Sequence, residues 1–205
     1  MRLLPCGTTS VLVELDDLDE VPALYAALVR DRPAGVVEIV PAARTVLLVT
    51  DPGVTSLTAV SDAVRQMTLR PELVGAGELV QIPVTYDGDD LDEAARALGI
   101  ATSDLVRRHT EQEWTVAFCG FAPGFGYLTS SGWVGEVPRR SSPRTRVPAG
   151  SVALAGEFTG VYPRDSPGGW QLIGRTEVSV FDPSRSPPAL LRPGDRVRFV
   201  NVGAA

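Results

Sequence analysis

Residues 138–174 read PRRSSPRTRVPAGSVALAGEFTGVYPRDSPGGWQLIG. Apolar runs of a few residues alternate here with Gly/Pro corners, the pattern of short strands joined by tight turns. It continues on both sides, in WTVAFCGF (114–121), GWQLIGRTEVSVFD (169–182) and DRVRFV (195–200). Together these runs predict a small β-barrel or sandwich, whose tight corners account for the dense glycine and proline. The same stretch holds Arg139, Arg140, Arg144 and Arg146 within eight residues, with Pro143 and Pro148 beside them and Ser141, Ser142 and Thr145 between. A guanidinium fork binds carboxylate or phosphate at two points, and a proline-restricted backbone loses less entropy in doing so. The stretch is therefore expected to line a functional surface. The plainer alternative is a solvated basic loop.

Upstream, QIPVTYDGDDLDEAARALG (81–99) places Asp89 or Asp90 to cap a short helix with Leu91, Ala94, Ala95 and Leu98 inward, ended by Gly99. Thr102 is placed to cap another helix through Leu105, Val106 and His109. The N-terminal block differs. Ser10 to Leu15 reads as a strand, and Val21, Leu24, Tyr25, Leu28 and Val29 fall at helical spacing, with Pro22 in the first turn. Val36 to Val40 and Thr45 to Thr50 read as strands joined through Pro41 to Arg44. A second helix carries Leu57, Val60, Val64 and Met67 on one face, with Thr55 as its expected cap. The order β-α-β-β-α-β predicts a ferredoxin-like unit whose last strand comes from Leu79 to Tyr86. Arg70 to Glu78, RPELVGAGE, reads as a linker. The expected fold class is thus an α+β ferredoxin-like domain over 1–78, then a mainly-β barrel domain over 79–205.

Apolar residues make up 44% of the 205 and charged residues 21%, a globular balance. No apolar run approaches the roughly 20 residues that cross a bilayer. The opening MRLLPCGTTSVLVELDD has no long apolar core, so no leader is expected and the expected location is the cytoplasm. Cys6 and Cys119 lie far apart and His109 is the sole histidine, so neither a disulfide framework nor a metal site is expected. All 19 basic residues are arginine. The absence of lysine removes Schiff-base chemistry and the lysine of a Walker-type phosphate loop. The net charge of −6 hides a split: residues 1–137 hold 20 acids and 9 arginines, residues 138–205 hold 5 acids and 10 arginines. A local basic patch on an acidic protein suits a small anion better than a nucleic acid.

Four groups of candidate site residues follow. Phe121, Pro123, Gly124 and Phe125 form a rigid aromatic turn whose backbone N–H groups suit a carbonyl or carboxylate oxygen; the alternative is a barrel corner plugged by rings. Arg139, Arg144 and Arg146 supply charge. Ser151, Tyr162, Ser166, Gly168, Gly169, Trp170, Gln171 and Arg175 supply hydroxyls, close backbone approach, an apolar wall and further polar reach. His109 titrates near neutral pH, although its spacing from Leu105 and Val106 also suits a covered inner helix face. Cys119 reads as an inert buried thiol. There is no GxSxG and no legible nucleophile–base pair, which points to a partner or a cofactor such as ATP.

The motifs HT…GFAPGFGYL, PRRSSPRTRVPAGSV, TGVYPRDSPGGWQLIGRT, VFDP and LLRPGDRVRF, in this order, resemble a family along nearly the whole chain. It is the family variously called allophanate hydrolase subunit 1, the B component of 5-oxoprolinase and Kip-type histidine-kinase inhibitor. The resemblance implies a ferredoxin-like domain followed by a cyclophilin-like barrel. It also implies a small subunit, inactive alone, of an ATP-dependent complex that opens the lactam of 5-oxoproline to glutamate. Its implied partners are a larger protein, like allophanate hydrolase subunit 2 or the C component of 5-oxoprolinase, and a LamB-type third protein. The implied cofactor is ATP, with or without Mg2+, shared with the partner. On that resemblance Arg144, Arg146, His109 and Gln171 are the catalytic candidates and the remaining residues named above bind substrate or ATP. The alternative it carries is a regulatory module that inhibits a sensor histidine kinase. The chain departs from the family pattern at Gly126, where proline is usual, at Glu157-Phe158, where Gly-Gln is usual, and at Thr8, where Asp is frequent.

Overall fold

A computed structural model describes residues 1–18, 20–69 and 77–203. The chain divides into two compact units, Met1–Val74 and Gly75–Ala205. Most of the expected linker, residues 70–76, lies outside the described residues.

The first unit runs β1 (Arg2–Cys6), β2 (Ser10–Glu14), α1 (Glu20–Arg30), β3 (Val36–Pro41), β4 (Thr45–Thr50) and α2 (Leu57–Gln66). Its sheet has the order β1-β2-β4-β3, every neighbour antiparallel. β2 and β3 are therefore parallel with β4 between them, joined by α1. Strict alternation puts Val11, Val13, Val46 and Leu48 on one face, where Val21, Leu24 and Leu28 of α1 and Val60 and Val64 of α2 cover them. Val29, expected on that helix face, turns outward. Ser56, not Thr55, caps α2: its Oγ accepts the Ala59 N–H at 3.2 Å.

The second unit runs β5 (Leu79–Val84), α3 (Leu91–Ala97), α4 (Thr102–Glu111), β6 (Trp114–Cys119), β7 (Gly126–Thr129), β8 (Arg144–Val147), β9 (Ser151–Ala155), β10 (Phe158–Val161), β11 (Ser166–Gly168), β12 (Gln171–Arg175) and β13 (Arg196–Asn201). Seven strands form one sheet in the order β12-β9-β10-β7-β6-β13-β5, and β8 pairs with β11 separately. Thr85 and Arg175 exchange both backbone hydrogen bonds at 2.9 Å and so join the two edge strands, β5 and β12. The result is a nearly closed barrel around Ile82, Val84, Trp114, Val116, Leu128, Leu154, Ile173, Val197 and Phe199. Closure protects sheet edges that would otherwise stand unpaired.

This placement of β5 corrects one expectation. Leu79 to Val84 is a strand, but it pairs in parallel with β13 and does not complete the first unit's sheet. The edge beside β2, where a final ferredoxin-like strand was expected, is taken by β1. A hairpin connection through Gly7, at φ 65°, delivers β1 there from the chain start.

The seam of the barrel depends on a missing side chain. A Cβ at residue 174 would stand 2.5 Å from the Thr85 carbonyl oxygen and 2.9 Å from Val84 Cγ1. Neither neighbour is a flexible chain end, so Gly174→Ala forces backbone apart. We expect it to destabilise by about 1–3 kcal/mol, read as a lower denaturant midpoint. An unchanged midpoint would show that the seam is loose.

Candidate functional site

Four arginines fall in one segment, and the structure separates their roles. Asp90 stands at the N-cap of α3, but its carboxylate does not cap the helix. It turns inward, only 2% exposed, and accepts four hydrogen bonds. Oδ1 takes Arg140 Nη1 at 2.5 Å and Arg144 Nη2 at 2.9 Å; Oδ2 takes Arg144 Nη1 at 2.7 Å and the Leu172 N–H at 2.8 Å. Burial alone would raise this carboxyl's pKa. The Arg144 hydrogen bonds, the Leu172 amide and the charges of Arg144 and Arg140 outweigh it, and hold the group below the ordinary carboxylate value. Arg144 also lies 3.6 Å from the exposed Asp89. Arg146 pairs at the surface with Asp165, which also accepts the Ala149 N–H. Arg144 and Arg146, expected to act in catalysis, are thus engaged in holding the loop. Among the described residues Arg139 alone of the four forms no ion pair, and it is exposed.

Arg139 is held opposite Trp170 through its neighbours. The Pro138 carbonyl accepts Gln171 Nε2 at 3.2 Å, and the Arg140 N–H donates to the Gly169 carbonyl at 2.8 Å. Gln171 is 1% exposed and serves this strut, with its Oε1 buried and unpartnered among the described residues. It is a positioning residue here, not the catalytic group expected. Beneath lies a cluster of rings. Phe125 meets Tyr127, Tyr162 and Trp170 edge-on at centroid distances of 5.1, 5.2 and 5.2 Å. Gly160 lets them close over β10, since a Cβ there would stand 3.1 Å from Phe125 and 3.3 Å from Trp170. Burial raises the pKa of both the Tyr127 and Tyr162 hydroxyls; the charge of Arg139 opposes this at Tyr127, and the Trp170 backbone, then Arg139 and Arg144, oppose it at Tyr162. The Tyr162 hydroxyl lies against Gly168, where no Cβ would fit.

The turn between β6 and β7 forms the other wall. Phe125 N–H donates to the Ala122 carbonyl across Pro123 and Gly124, the latter at φ 82°, as a type II turn requires. Ala122 N–H donates to the Gly120 carbonyl across Phe121 at φ 65°, the rare strained γ-turn. Of the turn's N–H groups expected to face a ligand, those of Ala122 and Phe125 are therefore consumed within the turn, as is that of Gly120 beside it, while those of Phe121 and Gly124 have no partner among the described residues. Phe121 itself is 58% exposed and meets Phe125 and Tyr162 edge-on.

The remaining candidates scatter. Ser151 and Ser166 are buried, the former's backbone joined to Tyr162 and the latter's hydroxyl bonded to the Arg164 carbonyl. Arg175 lies at the barrel seam and pairs with Asp87. His109 is a core residue, fully buried and stacked on Phe199 at 4.4 Å. Thr159 gives its proton to the Ala153 carbonyl, so it accepts from His109 Nε2–H, and His109 Nδ1 accepts the Tyr86 hydroxyl proton at 2.7 Å. Burial lowers its pKa to about 3. A neutral ring with both nitrogens committed corrects the expectation of a catalytic base. Sequence reading missed Asp90 as a clamp and Tyr127 as a member of the ring cluster. The Asp-Asp pair before α3 was visible, but only as a helix cap.

A family model described as the carboxyltransferase domain, subdomain C and D, matches residues 1–191. The chain belongs to that family. It is 41% identical to the B component of 5-oxoprolinase from Escherichia coli O157:H7, covering 95% of this chain and 93% of that one. The solved structure of TTHA0988 is 36% identical and superposes with a TM-score of 0.78 over 96% of this chain, which spans 40% of that longer one. K. lactis urea amidolyase, 20% identical, superposes with a TM-score of 0.80 over 98% of this chain and 15% of its own, a likeness of fold.

Two predictions test the assigned roles. Asp90→Ala strips two half-buried guanidiniums of their buried partner, leaving Arg144 only the exposed Asp89, and is expected to cost about 3 kcal/mol, whereas Arg146→Ala at the surface barely moves the denaturant midpoint. Equal losses would refute the division of labour. For His109, the unfolded ring binds a proton below about pH 6.5 while the folded ring stays neutral down to about 3. Stability therefore falls as pH drops from about 6.5 toward 3, and His109→Gln should flatten that slope between about pH 6.5 and 5.5, above the range where most carboxylates titrate.

Proposed function

We propose that this chain is the small subunit of an ATP-dependent amide or lactam hydrolase complex of the 5-oxoprolinase type. In this reading it is inactive alone and contributes part of a site completed by a larger protein, of the kind of allophanate hydrolase subunit 2 or the C component of 5-oxoprolinase, with a LamB-type third protein. The ferredoxin-like and cyclophilin-like descriptions of the two units belong to the same reading. The observation that carries it is the likeness along nearly the full length to a protein named as part of 5-oxoprolinase. The absence of a legible reactive centre among the candidate residues supports it. His109 is sealed in the core, and burial followed by the charge of Asp195 pushes the Cys119 thiol up to about 11. The occurrence of the same fold as 40% and 15% of longer chains also supports a site completed by additional polypeptide.

Chemically, a five-membered lactam is a stable amide, and its opening is driven by coupling to ATP in the assembled complex. The part this chain plays is to bind and orient, with the exposed Phe121 ring, the exposed Arg139 and a loop held still by Asp90. Coexpression with its large and third partner proteins should yield ATP-dependent release of glutamate from 5-oxoproline. Leaving out this chain should abolish it. Glutamate release that is absent from the full assembly, or unaffected by omitting this chain, would overturn the proposal.

A further inference from the structure

We draw no further inference here: the strongest candidate, the face of the first unit's sheet turned away from α1 and α2, where Leu4, Leu12, Leu47 and Val40 pair in one apolar row across β1, β2, β4 and β3, carries nothing because nothing in the structure shows what covers it.

Discussion

Four hydrogen bonds converge on one buried carboxylate, and the geometry of the functional face follows from them. Ionised Asp90 has about four acceptor positions, and Arg140, Arg144 and the Leu172 amide fill them. Burying such a charge is costly, and only complete pairing with good geometry offsets it. The Asp90 N–H also donates to the Leu172 carbonyl, so both polar backbone groups of one β12 residue are tied to the start of α3. Gly88 allows this approach, because a Cβ there would stand 2.3 Å from the same carbonyl oxygen. A loop of arginines that would otherwise repel one another is thus pinned to the barrel wall.

That clamp changes what the basic segment means. Composition counts charges but cannot show which are already spent. Asp90 lies 50 and 54 residues from the arginines it binds, so the pairing exists only in the folded chain. Read along the sequence, the four arginines looked interchangeable. In the fold, two are structural, one is a surface pair, and Arg139 is the remainder. His109 shows the same limit in another form. Its helical spacing admitted a covered inner face, but the hydrogen bonds to Tyr86 and Thr159 that keep it neutral come from distant strands.

Elements were more legible than their partners. Alternation in Thr45 to Thr50 and helical spacing in Leu57 to Val64 decide local structure, because burial of one face is written into a short window. The strand character of Leu79 to Val84 was equally plain, but its neighbour β13 lies more than a hundred residues on and pairs in parallel, which no local pattern specifies. β1 was overlooked because RLLPC is short and holds a proline, which is tolerated at a sheet edge but weakens a strand signal. The Phe-Ala-Pro-Gly-Phe turn was recognisable from its Pro-Gly pair, whereas the γ-turn at Phe121 was not. Nothing in a phenylalanine announces a positive φ.

Phe121 is a place where this fold accepts a local cost without a structural return, and Arg139 is an exposed guanidinium that forms no ion pair among the described residues. A bulky residue at φ 65° is strained, and the surrounding turn, closed by the Gly120–Phe125 and Ala122–Phe125 hydrogen bonds, must over-determine it. Leaving the ring 58% exposed recovers little hydrophobic free energy for that strain. An unpaired guanidinium beside two tyrosine hydroxyls adds nothing to the core either. Natural sequences keep such local conflicts where something other than stability selects them. The two residues meet around one ring, Tyr162, which touches Phe121 edge-on and feels the charge of Arg139. An exposed phenylalanine held at positive φ against Tyr162 points to a functional face more firmly than the density of arginines does.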